Sequence, residues 1–526
     1  MLGWNWFLIY NNSIFSWPKY WGRIERLVYL RQMNLAKLTV LYGSRHVVVQ
    51  QYQNYLLSSL VFKLVAVRRV VESKDIKLVQ NRKSFVCRNI DKLKLVAKLN
   101  SFSDLKFELV KYKIFSKFSK KKTCVSYVVT LEERAAQSLF NLILEPIVES
   151  ISDYNNYGFR RHRSQQQAIS DVYVAIQSKF KKEVGILKCN VLNFFTFSVS
   201  TWILKYLPVP IRCVPLLHNW LCSGLLRRKA LTTSSAEGGV FVNGILTNTV
   251  INFILNNLEK KLKRWGRFFY LKSLSISSNL NKHCNLSQVI DTFQFIRYAG
   301  EFIIIGNLWW LQVLNLRSFI VNFLQFRGVH ATQYILRLFS LKNENLSFLG
   351  YDFGYTCKNV NMFFFILFPT FSKFVVICRQ LHDIFYYQTH KTAFELITQV
   401  NPLIMRWCQY YSFGYSFWYR LKLDNYLFKL CWNWARRKHP KWGKNMIAYQ
   451  YFLQTTFKFS KRKWVFKGLI KNKLQSNLNY NTEIVYLWSP IVDTNCLSIY
   501  SFFLPVKFRR IHAFHSNIRA YLQWLM

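Results

Sequence analysis

The sequence predicts an α+β chain, with a central region of mixed strands and helices between segments that are mainly helical. Three observations point there. Hydrophobic residues make up 51% of the 526 residues and aromatic ones 18%, enough for packed cores and about three domains of ordinary size. Apolar positions recur at helical spacing through residues 22–38 and 423–439. Residues 293–306 read instead as two apolar strands about a tight turn.

Four segments differ in character: 1–125, 126–345, 346–470 and 471–526. The first reads as helices with basic faces followed by a Lys-rich connector. In "GRIERLVYLRQMNLAKL" (22–38), Ile24, Leu27, Val28, Leu35 and Leu38 share a helical face, Arg31 intrudes on it, and Arg26 and Lys37 lie opposite. In the second segment "GILKCNVLNFF" (185–195) reads as a buried strand and "GGVFVNGILTNTVINFILNNLEKKL" (238–262) as a helix started by glycine. "FQFIRYAGEFIIIG" (293–306) reads as two strands turning at Ala299-Gly300. The palm of a nucleic-acid polymerase has its parts in this order: a strand with a carboxylate, a helix against the nascent duplex, a hairpin with two carboxylates.

The third segment carries two amphipathic helices. Through "LDNYLFKLCWNWARRKH" (423–439), Leu423, Tyr426, Leu427, Leu430, Cys431 and Trp434 fall on one face, the expected core. Lys429, Trp432, Arg436 and His439 fall on the other, offering cations for phosphates and an indole for stacking an unpaired base. Pro440 ends the helix by constraining His439, which leaves Arg436, Arg437 and Lys438 in a last turn whose dipole favours cations. A second helix is expected to start at Asn401-Pro402, an N-cap followed by proline. It would put Leu403, Ile404, Trp407, Tyr410 and Tyr411 on one side, Arg406 and Gln409 on the other. The plain alternative for both polar faces is a solvated surface.

Lys and Arg number 73 against 24 Asp and Glu, a formal net charge of +49 spread along the chain. Such a surface repels itself unless a polyanion neutralises it, and RNA or DNA is the expected one. An anionic membrane is the lesser alternative, because no single amphipathic segment gathers the charge. The longest uncharged stretches, Met1 to Pro18 and Asn359 to Ser372, are too short or too polar to span a bilayer. The N-terminus resembles neither a secretory signal nor a transit peptide, so the protein is expected to work where it is made. Eleven cysteines form no C-x-x-C pair and are expected to be reduced, buried thiols with no structural metal. His512 and His515 lack carboxylate or thiol neighbours and read as surface residues beside Arg509 and Arg510.

Further motifs carry a resemblance. "YGFRRHRSQQQAI" (157–169), "EGGVFVNGILTN" (237–248), "RYAGEF" (297–302) and "FLGYDF" (348–353) resemble, in order and spacing, the reverse-transcriptase blocks of group II intron maturases. "LITQVNPLIMRWCQYY" (396–411) and "LDNYLFKLCWNWARRKHPKW" (423–442) resemble that family's maturase domain, also called domain X or the thumb. "LVFKLVAVRRVVESKD" (60–75) is similar to the start of its fingers. The domain X pattern is the most specific part, since other reverse transcriptases lack it.

The resemblance implies right-hand polymerase-like fingers and palm, degenerate, followed by an α-helical thumb. Aligned on it, the family's first catalytic aspartate is Asn190, the leading hairpin aspartate is Gly300 and the second is Glu301. Two-metal phosphoryl transfer needs carboxylates on both ions, and one acid of three does not hold a pair of Mg²⁺. The expected protein is therefore not an enzyme but a splicing cofactor. It would bind a group II intron RNA, and further organellar introns are candidates. It would need no cofactor of its own, the Mg²⁺ belonging to the RNA. RNA contacts are expected from Lys429, Trp432, Arg436, Arg437, Lys438, His439 and Arg406, and from Arg160 and Arg163 in the first block. Residues 471–526 are expected to hold a basic remnant of a DNA-binding region, "KFRRIHAFHSNIRAYLQW" (507–524), and no endonuclease. Richness in Phe, Tyr, Asn, Ile, Lys and Leu points to an A+T-rich organelle genome, and the resemblance to a degenerate maturase without endonuclease implies a plastid, with a mitochondrion as the alternative. The rival functions are an active intron-encoded reverse transcriptase and a general RNA- or DNA-binding protein. The sequence names neither the intron nor the oligomeric state.

Overall fold

The computed structural model describes residues 17–73, 88–100, 109–115, 123–179, 184–192, 194, 197–222, 240–241, 245–276, 293–359, 362–414, 416–454, 464–471, 482–487 and 489–490. The chain divides into two compact units, 1–340 and 341–526. Strands and helices mix in both, as the α+β expectation requires. The segment 507–524 lies outside the described residues, and so do Cys496, His512 and His515.

In the first unit, helices α1 (Trp21–Tyr42), α2 (Val47–Ser58), α3 (Leu60–Val71) and α4 (Asn89–Lys98) surround α5 (Leu131–Ile151). Thr130 caps α5 by accepting from the Glu133 amide, with Glu132 and Glu133 in the first turn where the dipole favours acids. From there Ala136, Leu139, Phe140, Ile143 and Ile147 are fully buried. On α1 the buried stripe is Val28, Gln32, Leu35 and Thr39. Leu27 is exposed, contrary to expectation, because the stripe runs through Gln32, whose amide donates to the Leu142 carbonyl at 2.6 Å. Arg31 turns aside to donate to Ser59 Oγ at 2.7 Å, while Arg26 and Lys37 are exposed as expected.

Strands β1 (Leu109–Phe115) and β2 (Thr123–Val129) form an antiparallel pair ahead of α5. After α5 come α6 (Gln165–Val174) and the strand β3 (Val184–Val191). Helices α7 (Phe197–Tyr206) and α8 (Val214–Cys222) follow. A short strand β4 (Val240–Phe241) pairs parallel with β2. The helix expected over 238–262 is thus not continuous. It is divided into α9 (Thr247–Ile254) and α10 (Leu258–Ile276), and Asn257 between them takes a left-handed φ of 63°.

β5 (Phe293–Tyr298) and β6 (Glu301–Asn307) form the expected hairpin, and β7 (Tyr334–Ser340) completes a sheet of order β5-β6-β3-β7 with all neighbours antiparallel. Leu187, Cys189, Phe295, Phe302 and Ile304 project from one face of this sheet into the core that the helices share.

The second unit opens on an antiparallel sheet of β8 (Leu346–Phe348), β9 (Tyr351–Asn359) and β10 (Met362–Pro369). Its first turn needs positive φ at Leu349 (50°) and Gly350 (85°). Helices α11 (Phe371–Tyr387), α12 (Ala393–Tyr410), α13 (Phe417–Lys438) and α14 (Lys444–Tyr451) follow. β11 (Phe452–Gln454), β12 (Trp464–Lys471) and β13 (Thr482–Tyr486) then form a second sheet. The segment 346–470, expected to be helical, therefore has strands at both ends.

The expected helix start at Asn401-Pro402 is corrected. α12 begins at Ala393, where Thr392 and Glu395 close a reciprocal capping box. Pro402 sits inside the helix and removes one backbone donor, a cost of about 3 kcal/mol that the burial of Leu396, Ile397, Val400 and Ile404 offsets. Among the described residues no helix is long and apolar enough to cross a membrane.

Candidate nucleic-acid interface

The β5–β6 hairpin brings together the three positions that the resemblance assigns to polymerase carboxylates. Asn190 on β3 lies directly opposite Glu301 on β6, and the Val191 amide donates to the Gly300 carbonyl at 3.0 Å. The first motif block docks on the same hairpin. The Tyr157 amide donates to the Arg297 carbonyl at 2.8 Å, and a Cβ on Gly158 would strike the backbone of Ala299. That close approach is why a glycine stands at 158. Arg297 itself is fully buried near Asp153 and Glu259, and burial lowers its pKa to about 10.

The one acid among these three positions meets a cation. Because side chains alternate along a strand, Lys188 shares the face of Asn190, and its ammonium pairs with the Glu301 carboxylate at 2.8 Å. Opposite Lys188 on β7 stands the exposed Arg337. A Cβ on Gly300 would lie 2.7 Å from a Phe194 ring carbon, so the position lacks both a ligand and room for one. Two Mg²⁺ ions do not fit one carboxylate already held by an ammonium. Among the described residues no group of three His, Cys, Asp or Glu is placed to hold a metal ion.

The two basic residues of the first block expected to touch RNA are engaged by the protein itself. Arg160 is bidentate to Glu149 (2.6 Å at its closest) and donates to the carbonyls of Asp153 and Asn156, both at 2.9 Å. Its side chain is 10% exposed, so it clamps a loop. Arg163 lies over the rings of Tyr154 and Tyr157 at 5.2 and 5.3 Å.

In the second unit α13 has the expected core face: Leu423, Leu427, Leu430, Cys431 and Trp434 are buried. Trp434 is edge-on to Tyr451 and Phe466, and its indole N–H donates to the Gln388 carbonyl at 3.2 Å. Tyr426, expected in this core, is only half-buried. On the polar face Lys429 and Arg436 are exposed, as is Arg406 on α12. Trp432 is half-buried, its ring 5.5 Å from that of Phe452, which leaves less of the indole for a base than the helical wheel suggests. His439 stacks on Trp442 at 3.7 Å and shares a 2.8 Å hydrogen bond with the Tyr451 hydroxyl. Burial, aided by Lys438, lowers its pKa.

Arg437, exposed, and Lys438, half-buried, donate to carbonyls at the end of α11 and just beyond it. Arg437 donates to the Phe385 carbonyl at 3.0 Å, capping the end of α11, and lies 4.6 Å from the centre of the Tyr386 ring. Lys438 donates to the carbonyls of Thr389 (3.2 Å) and Lys391, and burial lowers its pKa. Arg420, which no motif singled out, is buried and caps α12 by donating to the Cys408 and Tyr411 carbonyls at 2.9 and 3.1 Å. Its one readable signal is its position three residues before Leu423, on the buried stripe.

Residues 377–452, from within α11 to the first residue of β11, match the family described as the group II intron, maturase-specific domain. The second unit carries a maturase-specific domain. Lys429, Arg436, Arg406, Arg437, Lys438, Arg420 and His439 all fall inside it. No curated protein matches the chain. Of the resembling blocks in the first unit, 157–169 docks on the β5–β6 hairpin.

Proposed function

We propose that this protein is a splicing maturase, which binds a group II intron RNA and stabilises its catalytic fold while the RNA and its own Mg²⁺ carry out the transesterification. The observation that carries the reading is the maturase-specific domain, which presents Lys429, Arg436 and Arg406 to solvent in a chain of net charge +49. Exposed cations of this kind gain affinity for RNA by releasing condensed counterions. The palm hairpin supports the companion statement that the protein does not polymerise, since its one acid, Glu301, is paired with Lys188. The fold we propose for the first unit is a degenerate reverse-transcriptase fingers and palm, and the compartment a plastid.

Splicing of precursor transcripts with and without the purified chain tests this. With its own intron, the protein is expected to restore splicing at Mg²⁺ concentrations where RNA alone stalls. No effect on any group II transcript, with equal affinity for unrelated duplex DNA, would favour a general nucleic-acid-binding protein. Primer extension with Mg²⁺ or Mn²⁺ that disappears on Glu301→Ala would return the reading to an active reverse transcriptase.

A further inference from the structure

The two long helices α11 and α13 pack against each other in the second unit, and a hollow of about 270 Å³ opens on their outer side. Phe374 and Cys378 of α11 and Lys422, Asn425, Tyr426 and Lys429 of α13 line it. None of these side chains belongs to the buried core: Phe374, Cys378 and Tyr426 are half-buried, and Lys422, Asn425 and Lys429 are exposed. The floor is apolar and partly aromatic, whereas the rim carries two cations.

We infer that this hollow binds one unpaired nucleotide of single-stranded RNA, with the base against Tyr426 and Phe374 and the flanking phosphates on Lys422 and Lys429. Charge complementarity selects this occupant. Neither lysine forms an ion pair with a described carboxylate, and they stand seven residues apart, about 10 Å along the helix axis. A strand crossing the hollow therefore meets a cation on each side of the inserted base. The aromatic floor supplies the π surface on which any base stacks. Burial, then Cys378 and Asp383, raises the pKa of the Tyr426 hydroxyl, so the phenol stays neutral and able to donate. The hollow also offers a stacking surface in place of Trp432, which lies against Phe452.

The inference rests on the RNA-binding reading above and is tested apart from it. The probes are an eight-residue oligouridylate and an abasic phosphodiester of the same length, each titrated with the full chain by fluorescence anisotropy. The unaltered protein is expected to bind the oligouridylate roughly ten- to a hundredfold more tightly than the abasic strand. Cys378→Phe, which fills the hollow without changing charge, is expected to bring that ratio close to one while abasic binding and melting temperature stay the same. The double variant Lys422→Gln/Lys429→Gln is expected to weaken both probes and lower the log-log salt slope by about 1.4.

A ratio that survives Cys378→Phe in a folded protein overturns the inference. Should that variant not fold, Tyr426→Ala decides in its place, since an unchanged ratio there overturns it equally. An unaltered protein that binds both probes alike also overturns it, with intron binding untouched. Failure to bind either probe or any intron RNA instead removes the RNA-binding reading itself.

Discussion

The β5–β6 hairpin of the first unit and the α13 helix of the second both concentrate cations, yet they use them differently. At the hairpin and its docking block, cations meet carboxylates: Lys188 with Glu301, Arg160 with Glu149, Arg161 with Glu145. On α13 three cations meet carbonyls instead, Arg420, Arg437 and Lys438, whereas Lys429 and Arg436 of α13 and Arg406 of α12 are exposed. A carbonyl cap leaves the positive charge uncompensated, whereas a carboxylate cancels it. The thumb helices thus present more net positive field to a polyanion than the hairpin does, although both are rich in basic residues.

The sharpest division to break is between the two faces of α13. Trp434→Ala removes a fully buried indole that meets Tyr451 and Phe466, and it is expected to destabilise the second unit by about 3–5 kcal/mol. Leu430→Ala should cost about 2–5 kcal/mol. Arg436→Ala and Lys429→Ala on the other face should leave the melting temperature within error and weaken intron binding by about 1 kcal/mol or more each. Paired measurements of melting and affinity check this. If Arg436→Ala melts the protein, the exposed face is structural and the comparison collapses.

A smaller effect separates the two kinds of cation. Arg437→Ala should lower stability by roughly 1–2 kcal/mol, because the Phe385 and Tyr386 carbonyls lose their donor. Chemical denaturation of Arg437→Ala and Arg436→Ala, adjacent in sequence, reads the difference directly. Equal stability of the two variants would show that the carbonyl contacts of Arg437 contribute nothing.

The hairpin offers a third comparison. Gly300→Ala puts a methyl 2.7 Å from the Phe194 ring and 3.2 Å from the Val191 carbonyl oxygen, and overpacking of this kind costs about 1–3 kcal/mol. Phe194→Leu combined with it should recover part of the loss. If Gly300→Ala melts like the unaltered protein, the hairpin has room that the geometry denies, and an aspartate at 300 becomes sterically possible.

What was legible in the sequence follows from the range of each interaction. β3 and the β5–β6 hairpin could be read because an apolar run and a turn are local signals, and the core face of α13 could be read from its period alone. The pairing of Lys188 with Glu301 links residues far apart in sequence, and strand register decides it. The roles of Arg437 and Lys438 were hidden for the same reason, since their partners Phe385, Thr389 and Lys391 lie about fifty positions away and belong to another helix end. The start of α12 was hidden differently. Two local signals competed, Thr392 with Glu395 and Asn401 with Pro402, and only packing decided between them. Trp432 on the polar face is half-buried because the ring of Phe452 in β11 lies against it, which a helical wheel does not show.

The smallest expected effect concerns His439, the one basic residue of the α13 set whose charge changes near neutral pH. Its ring accepts from, or donates to, Tyr451 and stacks on Trp442, with Lys438 adjacent, and its pKa is lowered by burial and then by that lysine. A base with a lowered folded-state pKa binds fewer protons folded than unfolded. Its contribution to stability is therefore complete above the unfolded value near 6.5 and is lost as pH falls through the folded value. The melting temperature should drop slightly more steeply between pH 7 and pH 5.5 in the unaltered protein than in His439→Gln. RNA contact would reverse this sign. If a phosphate sat on His439, binding would draw a proton onto the ring, and intron affinity would rise as pH fell in the unaltered protein but not in His439→Gln. We expect instead the same pH dependence of affinity in both proteins, because the ring is spent on Trp442 and Tyr451. A His439-dependent gain in affinity at low pH would put the end of α13 in contact with RNA phosphate and extend the exposed cationic face of Lys429 and Arg436 to the helix terminus.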